Sequence, residues 1–230
     1  MNTILQQLQQ VHDRIAAAAL ACEREAGTVH LLAVSKTKPI ADIKAAYEAG
    51  QRQFGENYVQ EAIEKIQALA TICPDIHWHL IGPLQSNKTK IVAEHFDWVQ
   101  TVDRLKIAER LSAQRPASMP VLNICLQVNI SREPNKSGVL PEDLSVLAAG
   151  VAELSHLSLR GLMAIPEATA DQEKLTAQLL ELQQLFDRMA QIYPTMDTLS
   201  VGMSNDLEIA VACGSTLVRV GTAIFGSRNA

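Results

Sequence analysis

The sequence predicts an α/β fold, a single-domain TIM-type (β/α)8 barrel over residues 1–230 with an extra amphipathic helix, residues 1–26, packed on it. Three observations predict it. Eight short apolar segments alternate with helical stretches; no linker or shift in composition divides the chain; and polar and glycine residues gather where the strands end. Barrels of this kind carry their sites at that end. An open doubly wound sheet is the competing arrangement, but no GxGxxG follows the first strand.

The elements follow in order. Ile4, Leu8, Val11, Ile15, Ala18 and Cys22 step by four and three, so residues 3–26 read as a helix that Gly27 stops. Residues 28–35 form the first strand and 40–49 a helix ended by Gly50. A short strand at 52–55 precedes a helix at 58–71, and a strand at 76–81 is broken by Gly82-Pro83. Helix 86–95, strand 98–102 and helix 104–114 come next, followed by the long β-branched strand 121–129. Residues 141–153 are helical with proline in the first turn. Strand 159–164 is followed by a long helix carrying Leu175, Leu179, Leu182, Leu185 and Met189, closed near Tyr193-Pro194. Strand 198–201, helix 206–213 with Gly214 after it, and strand 217–220 complete the set.

Composition narrows the function classes. Apolar residues make up 47% and charged residues 20%, as in an ordinary soluble globular protein. A net charge of −5 gives no general attraction to nucleic acid or to an anionic membrane. The four cysteines are scattered with no CxxC pair, which argues against zinc and against a disulfide framework. No apolar run is long enough for a membrane span and no signal-like segment opens the chain, so a cytoplasmic protein is expected.

The strand ends carry the chemistry. Strand one runs into Lys36 and Lys38 before Pro39. An ammonium at the end of an apolar strand needs a partner, and a desolvated lysine amine is what Schiff-base chemistry requires. Taken alone, a lysine reaching into solvent is the plainer alternative. After strand seven, Gly202 and Ser204 precede a helix; after strand eight, Gly221-Thr222 offers bare backbone and a hydroxyl. Phosphate is commonly bound between these two loops of a barrel. For Ser204 by itself an ordinary helix N-cap is an equal alternative, and the acidic Asp206 and Glu208 support it. Asn57 fits a helix cap or a ligand contact equally. Arg219, inside an apolar strand, needs an acceptor that a ligand could supply. His77 and His79 share a strand face, but no third ligand recurs, which favours structural roles over metal. Met163 reads most simply as core.

Six spaced motifs carry a resemblance. Ala33-Val-Ser-Lys-Thr-Lys-Pro39, Phe54-Gly-Glu-Asn-Tyr-Val-Gln-Glu61 and Trp78-His-Leu-Ile-Gly-Pro-Leu-Gln-Ser-Asn-Lys88 are the first three. Gly161-Leu-Met-Ala-Ile-Pro166, Gly202-Met-Ser-Asn-Asp-Leu-Glu208 and Val218-Arg-Val-Gly-Thr-Ala-Ile-Phe-Gly226 continue them. Together, in order over nearly the whole chain, they resemble the pyridoxal phosphate homeostasis proteins. Asn205 departs from that pattern, which has aspartate there. The resemblance implies a barrel like the N-terminal domain of alanine racemase, with pyridoxal 5′-phosphate (PLP) as cofactor. Lys36 then matches the Schiff-base lysine, and Ser204, Gly221 and Thr222 match the phosphate cradle. Arg219 matches the group facing the pyridine nitrogen, and Asn57 a residue near the ring hydroxyl.

The function implied is vitamin B6 homeostasis, by taking up, buffering or delivering PLP to PLP-dependent apo-enzymes, without catalytic turnover and hence with no catalytic residue. An arginine at the pyridine nitrogen makes the ring a poor electron sink. Racemases of the related fold draw a tyrosine base from an additional domain. This chain ends at Ala230, and its three tyrosines fall on or beside outer helices. A low-activity amino-acid racemase and a cofactor-free Schiff-base aldolase are the alternatives.

Overall fold

The computed structural model describes residues 3–226. The extreme ends of the expected 1–230 domain, residues 1–2 and 227–230, lie outside the described residues. The elements are α1 (Ile4–Ala21), β1 (His30–Val34), α2 (Ile40–Glu48), β2 (Gln53–Glu56), α3 (Val59–Leu69), β3 (His77–Leu80), α4 (Thr89–His95), β4 (Trp98–Val102) and α5 (Leu105–Gln114). They continue with β5 (Leu122–Val128), α6 (Leu144–Ala152), β6 (Leu157–Ala164), α7 (Gln172–Ile192), β7 (Thr198–Ser200), α8 (Leu207–Ala212), β8 (Leu217–Val220) and α9 (Thr222–Phe225). The eight strands are parallel to their neighbours and close in sequence order, β1 pairing with both β2 and β8. The expected barrel is the observed one.

Two apolar clusters divide the packing. The large one fills the space between sheet and helices, with Phe54, Phe96, Leu111 and Leu182 fully buried. A small one, Leu32, Ile81 and Leu217 with Val34 against them, is separate from it. Side chains alternate across a strand, so this second cluster lies inside the barrel. Gly55 faces it, because a Cβ there would meet Leu32 and Ile81 at 3.0 Å.

Helix α1 opens with a capping box: the Gln6 amide donates to Thr3 Oγ1, and the Thr3 amide to Gln6 Oε1. Its buried stripe, Leu8, Val11, Ile15, Ala18 and Ala19, lies against α8, α9 and α2. The helix ends at Ala21, short of the expected residue 26, and Gly27 is not its stop. Glu23 takes a left-handed φ of 59° instead. Arg24 then donates to the carbonyls of Val211 and Ser215, drawing the chain onto the barrel. Two other expected helices begin with a 3-10 turn, at Ser86–Lys88 and Pro141–Asp143. The four-residue α9 is too short to show a periodicity in sequence.

Gly161 has a packing role. It pairs with Thr198 across β6 and β7, and a Cβ would fall 1.7 Å from the Thr198 carbonyl oxygen. Backbone on both sides cannot yield without losing the register. Gly161→Ala is therefore expected to cost about 3 kcal/mol or more, the upper range of overpacking. Urea unfolding of the two proteins measures it, and a loss under about 1 kcal/mol would contradict the packing role.

Candidate functional site

The expected site residues come from four adjacent strands. Ala33 of β1 pairs with Val220 of β8, so Lys36 emerges beside Gly221 and Thr222. On the other side Val34 pairs with Gly55, and the Ser35 amide donates to the Gly55 carbonyl, which carries Asn57 alongside Lys36. The Arg219 amide donates to the Gly202 carbonyl, which attaches the Ser204 loop to β8. Lys36, Asn57, Arg219, Gly221 and Thr222 thus share three neighbouring strand ends, with Ser204 on the next. All lie at the C-terminal mouth of the barrel.

Lys36 is half-buried in a tight turn whose next residue, Thr37, has a left-handed φ of 61°. A buried ionic cluster grips both sides of that turn. Lys65 Nζ on α3 donates to the Ser35 carbonyl at 2.7 Å, to Glu56 Oε1 at 2.8 Å and to Glu61 Oε1 at 2.5 Å. Ser35 Oγ donates to Glu56 Oε1 at 2.6 Å, and the Thr37 amide donates to Glu61 Oε1 at 2.6 Å. Glu56 is fully buried, and that burial pushes its carboxyl up despite the opposing pull of Lys65. Lys38, the other lysine of the loop, bridges the carbonyls of Phe225 and Gly226 at 3.0 Å each. It ties the end of α9 to the loop after β1.

Arg219 is only 5% exposed. Its Nη1 donates to the carbonyl and hydroxyl oxygens of Ser200, and Nη2 to the Ala164 carbonyl. None of these acceptors is a carboxylate. Burial lowers its pKa to about 10, which still leaves a cation at neutral pH. Asn57 is held by a backbone contact: a Cβ on Gly82 would sit 2.1 Å from the Asn57 carbonyl oxygen. Its side-chain Oδ1 is buried with no partner among the described residues. It caps no helix, since Tyr58 is the cap residue of α3.

In the Ser204 loop, Gly202 has a φ of 99° and packs on Ala210 of α8. The capping residue of α8 is Asp206, whose Oδ1 accepts from the Met203 amide at 2.6 Å. Ser204 is therefore not the N-cap, and its carbonyl accepts from Arg14 of α1. Gly221 caps α9 and lies so near β1 that a Cβ would meet the Val34 carbonyl oxygen at 3.0 Å. Thr222 follows, exposed.

Of the two histidines, His77 is exposed, whereas His79 is buried, hydrogen-bonded to Gln100 and stacked on Trp98. No group of three or more metal-ligating side chains occurs among the described residues. The four cysteines are free thiols, and Met163 is fully buried. No helix among the described residues is long and apolar enough to cross a membrane. A cavity of about 240 Å³ opens at the opposite end of the barrel, near His30, Gln53, Trp98 and Asp197. Those residues stand at strand starts, where conservation of chemistry in barrels gives way to stability.

The sequence reading passed over Lys65 and Gln100, and placed Ser200 at the end of strand seven without a role. Lys65 stands four residues after Glu61 on a helix, the spacing of an ordinary surface pair. Only the fold reveals that Lys65 is buried behind the Lys36 turn, with Glu61 half-buried beside it.

Known proteins resemble this chain closely. Residues 7–229 match the family model described as alanine racemase, N-terminal domain. A protein of Pseudomonas aeruginosa named pyridoxal phosphate homeostasis protein is 54% identical over 229 residues, covering 100% of this chain and 97% of its own. The protein of that name from Escherichia coli K12 is 53% identical over 230 residues, with 100% and 98% covered. The solved structure of PipY from Synechococcus elongatus, with PLP bound, is 40% identical with a TM-score of 0.79. That match covers 92% of this chain and 100% of the PipY chain.

Two substitutions test the supports of this site. Lys65→Met leaves Glu56 and Glu61 without their cation and should cost about 3–5 kcal/mol at neutral pH. The deficit should shrink as pH falls, because an unpaired Glu56 accepts a proton more readily. Unfolding curves at two pH values show whether it does. His79 titrates at about 3 in the folded protein against 6.5 unfolded, chiefly through burial. The unfolded chain therefore takes up a proton that the folded one refuses. The stability this residue contributes is complete above pH 6.5 and drains away as pH falls toward 3. At about 1.4 kcal/mol per pH unit, the loss reaches roughly 2 kcal/mol at pH 5. His79→Gln should lose that much less between pH 7 and pH 5, and equal losses would assign the effect elsewhere.

Proposed function

The chain belongs to the pyridoxal phosphate homeostasis proteins, within the alanine racemase N-terminal-domain family, and from that premise we propose that it binds PLP in the barrel mouth and serves vitamin B6 homeostasis. Lys36 supplies the amine that holds the cofactor's aldehyde. The observation that carries this reading is the pairing of β1 with both β2 and β8, which gathers Lys36, Asn57, Arg219 and Gly221 into one patch.

The residues fit the group. Asn57 Oδ1 is a buried acceptor without a partner among the described residues, able to take a hydrogen bond from a ring hydroxyl. Arg219 is a buried cation with only neutral acceptors around it, suited to a ligand atom that accepts. Gly221 carries no Cβ because one would press on the Val34 carbonyl of β1, and its bare backbone with the Thr222 hydroxyl suits a phosphate. Ser204, relieved of the capping role, faces the same duty from the neighbouring loop.

PLP when bound supplies an aldehyde for amines and a pyridine ring that withdraws electrons when its nitrogen is protonated. Arg219 works against the second property. It has only N–H groups to offer and remains charged, so it keeps the ring nitrogen an acceptor. Lys36 is half-buried and Thr222 exposed, which leaves the mouth open to exchange with solvent. Both features support a protein that takes up PLP and releases it to PLP-dependent apo-enzymes, without turnover of an amino acid. The tyrosines support the same reading. Tyr47 and Tyr193 stand at the C-terminal ends of α2 and α7, which lead back to strand starts. Tyr58 follows β2 on the mouth side and is 52% exposed; it is the group that would favour a low-activity racemase.

Borohydride reduction of the PLP-loaded protein followed by peptide mapping should find the cofactor on Lys36. Lys36→Ala should abolish both the visible band and the trapped adduct, and an unchanged band would remove Lys36 from the role. Pyridoxal, which lacks the phosphate, should bind about 100-fold more weakly than PLP, roughly 2.7 kcal/mol; equal affinities would sink the phosphate assignment. Amino acids incubated with the protein in deuterated buffer should keep their α-proton, whereas exchange with turnover would establish the racemase reading.

A further inference from the structure

A thread of hydrogen bonds crosses the barrel interior away from Arg219. Arg219 Nη1 donates to Ser200 Oγ at 3.0 Å. Ser200 Oγ donates to Gln100 Oε1 at 2.7 Å. Gln100 Nε2 lies 2.9 Å from His79 Nδ1. The four residues belong to β8, β7, β4 and β3, so the thread spans the barrel from wall to wall. All four are buried.

The chemistry of Arg219 gives the thread one direction. A guanidinium cannot accept a hydrogen bond, so Ser200 Oγ must accept from it and has one proton left to give. That proton goes to the Gln100 oxygen, which turns the Gln100 NH2 group toward His79. His79 Nδ1 must then accept, and the imidazole proton resides on Nε2. Every dipole points the same way, and each bond polarises the next. Trp98 stacks on His79 with ring centroids 5.1 Å apart and planes 9° apart, which fixes the far end.

Packing alone does not account for this arrangement. Barrel interiors are normally filled by branched aliphatic layers. Here His79 Nε2 is buried with no partner among the described residues, a deficit that an apolar side chain would avoid.

We propose that Ser200, Gln100 and His79 are positioning residues for Arg219, locking its guanidinium as a fixed donor toward the mouth and so setting the electronic state of the bound cofactor. This rests on the PLP reading above. The Arg219 Nη1 hydrogens are consumed by Ser200, and Nη2 is anchored on the Ala164 carbonyl. The guanidinium therefore cannot swing away from the mouth without breaking the thread.

Two measurements test it. Nitrogen-15 NMR of the His79 side chain, in the protein without cofactor, should find the proton on Nε2 and Nδ1 unprotonated. A proton on Nδ1 would overturn the thread's direction and with it the proposal. Ser200→Ala, loaded with PLP, should still yield the borohydride-trapped Lys36 adduct, but with a shifted visible absorption band and about tenfold weaker PLP binding. Gln100→Leu should shift the band in the same direction. An intact adduct with an unshifted band and unchanged affinity in both variants would overturn the positioning role. Absence of any adduct in the unsubstituted protein would instead overturn the PLP reading, leaving the NMR result to judge the thread.

Discussion

Closure of the barrel by β1 against β8 is the constraint on which the rest depends. Four residue pairs, from His30–Leu217 to Ala33–Val220, join the first strand to the last. Without them, Lys36 and the Arg219–Thr222 segment would have no reason to meet. The Lys38 bond to the Phe225 carbonyl, across 187 residues of sequence, and the apolar face of α1 on α8 and α9 both reinforce the same seam. A seam joining chain ends is entropically expensive to form, which explains why the extra helix and the lysine tether are concentrated there.

Behind the seam, the Lys36 turn is held from outside the barrel. A lysine and two glutamates are an improbable choice for a buried layer, since their desolvation offsets much of their attraction. What the cluster supplies is direction. Lys65 and Glu61 each bond to backbone on either side of Lys36, at Ser35 and Thr37. The left-handed Thr37 is tolerable because Glu61 takes its amide. A purely apolar layer could match the stability but could not grip a backbone carbonyl and a backbone amide at once.

Inside the barrel the balance is also tilted toward polarity at chosen places. Leu32, Ile81 and Leu217 keep a small dry cluster, while His79, Gln100 and Ser200 form a polar line ending on Arg219. A buried guanidinium whose three hydrogen-bond acceptors are neutral retains its charge, with Asp206 acting on it through space. That combination leaves a cation at the mouth whose hydrogen bonds are all to neutral oxygens.

Much of this was legible in sequence. Period-two and period-3.6 patterns, read with the glycine and proline punctuation, determine the alternation of strands and helices, and hence a closed barrel with its polar residues at one end. The strand-end motifs carry the family resemblance, and that resemblance implies Lys36, Asn57, Ser204, Arg219, Gly221 and Thr222 as a set. The tertiary structure decided what local pattern cannot carry. It gave Lys38 the carbonyls at the end of α9, and it placed the α8 cap at Asp206, where the sequence left Ser204 as an equal candidate. It also turned the Glu61–Lys65 pair from a surface spacing into a partly buried clamp, and His79 from half of a histidine pair into the end of a thread. The physical reason is common to all four. Periodicity reports which face of an element is apolar, but a hydrogen-bond partner on another strand or helix is fixed only by register and closure.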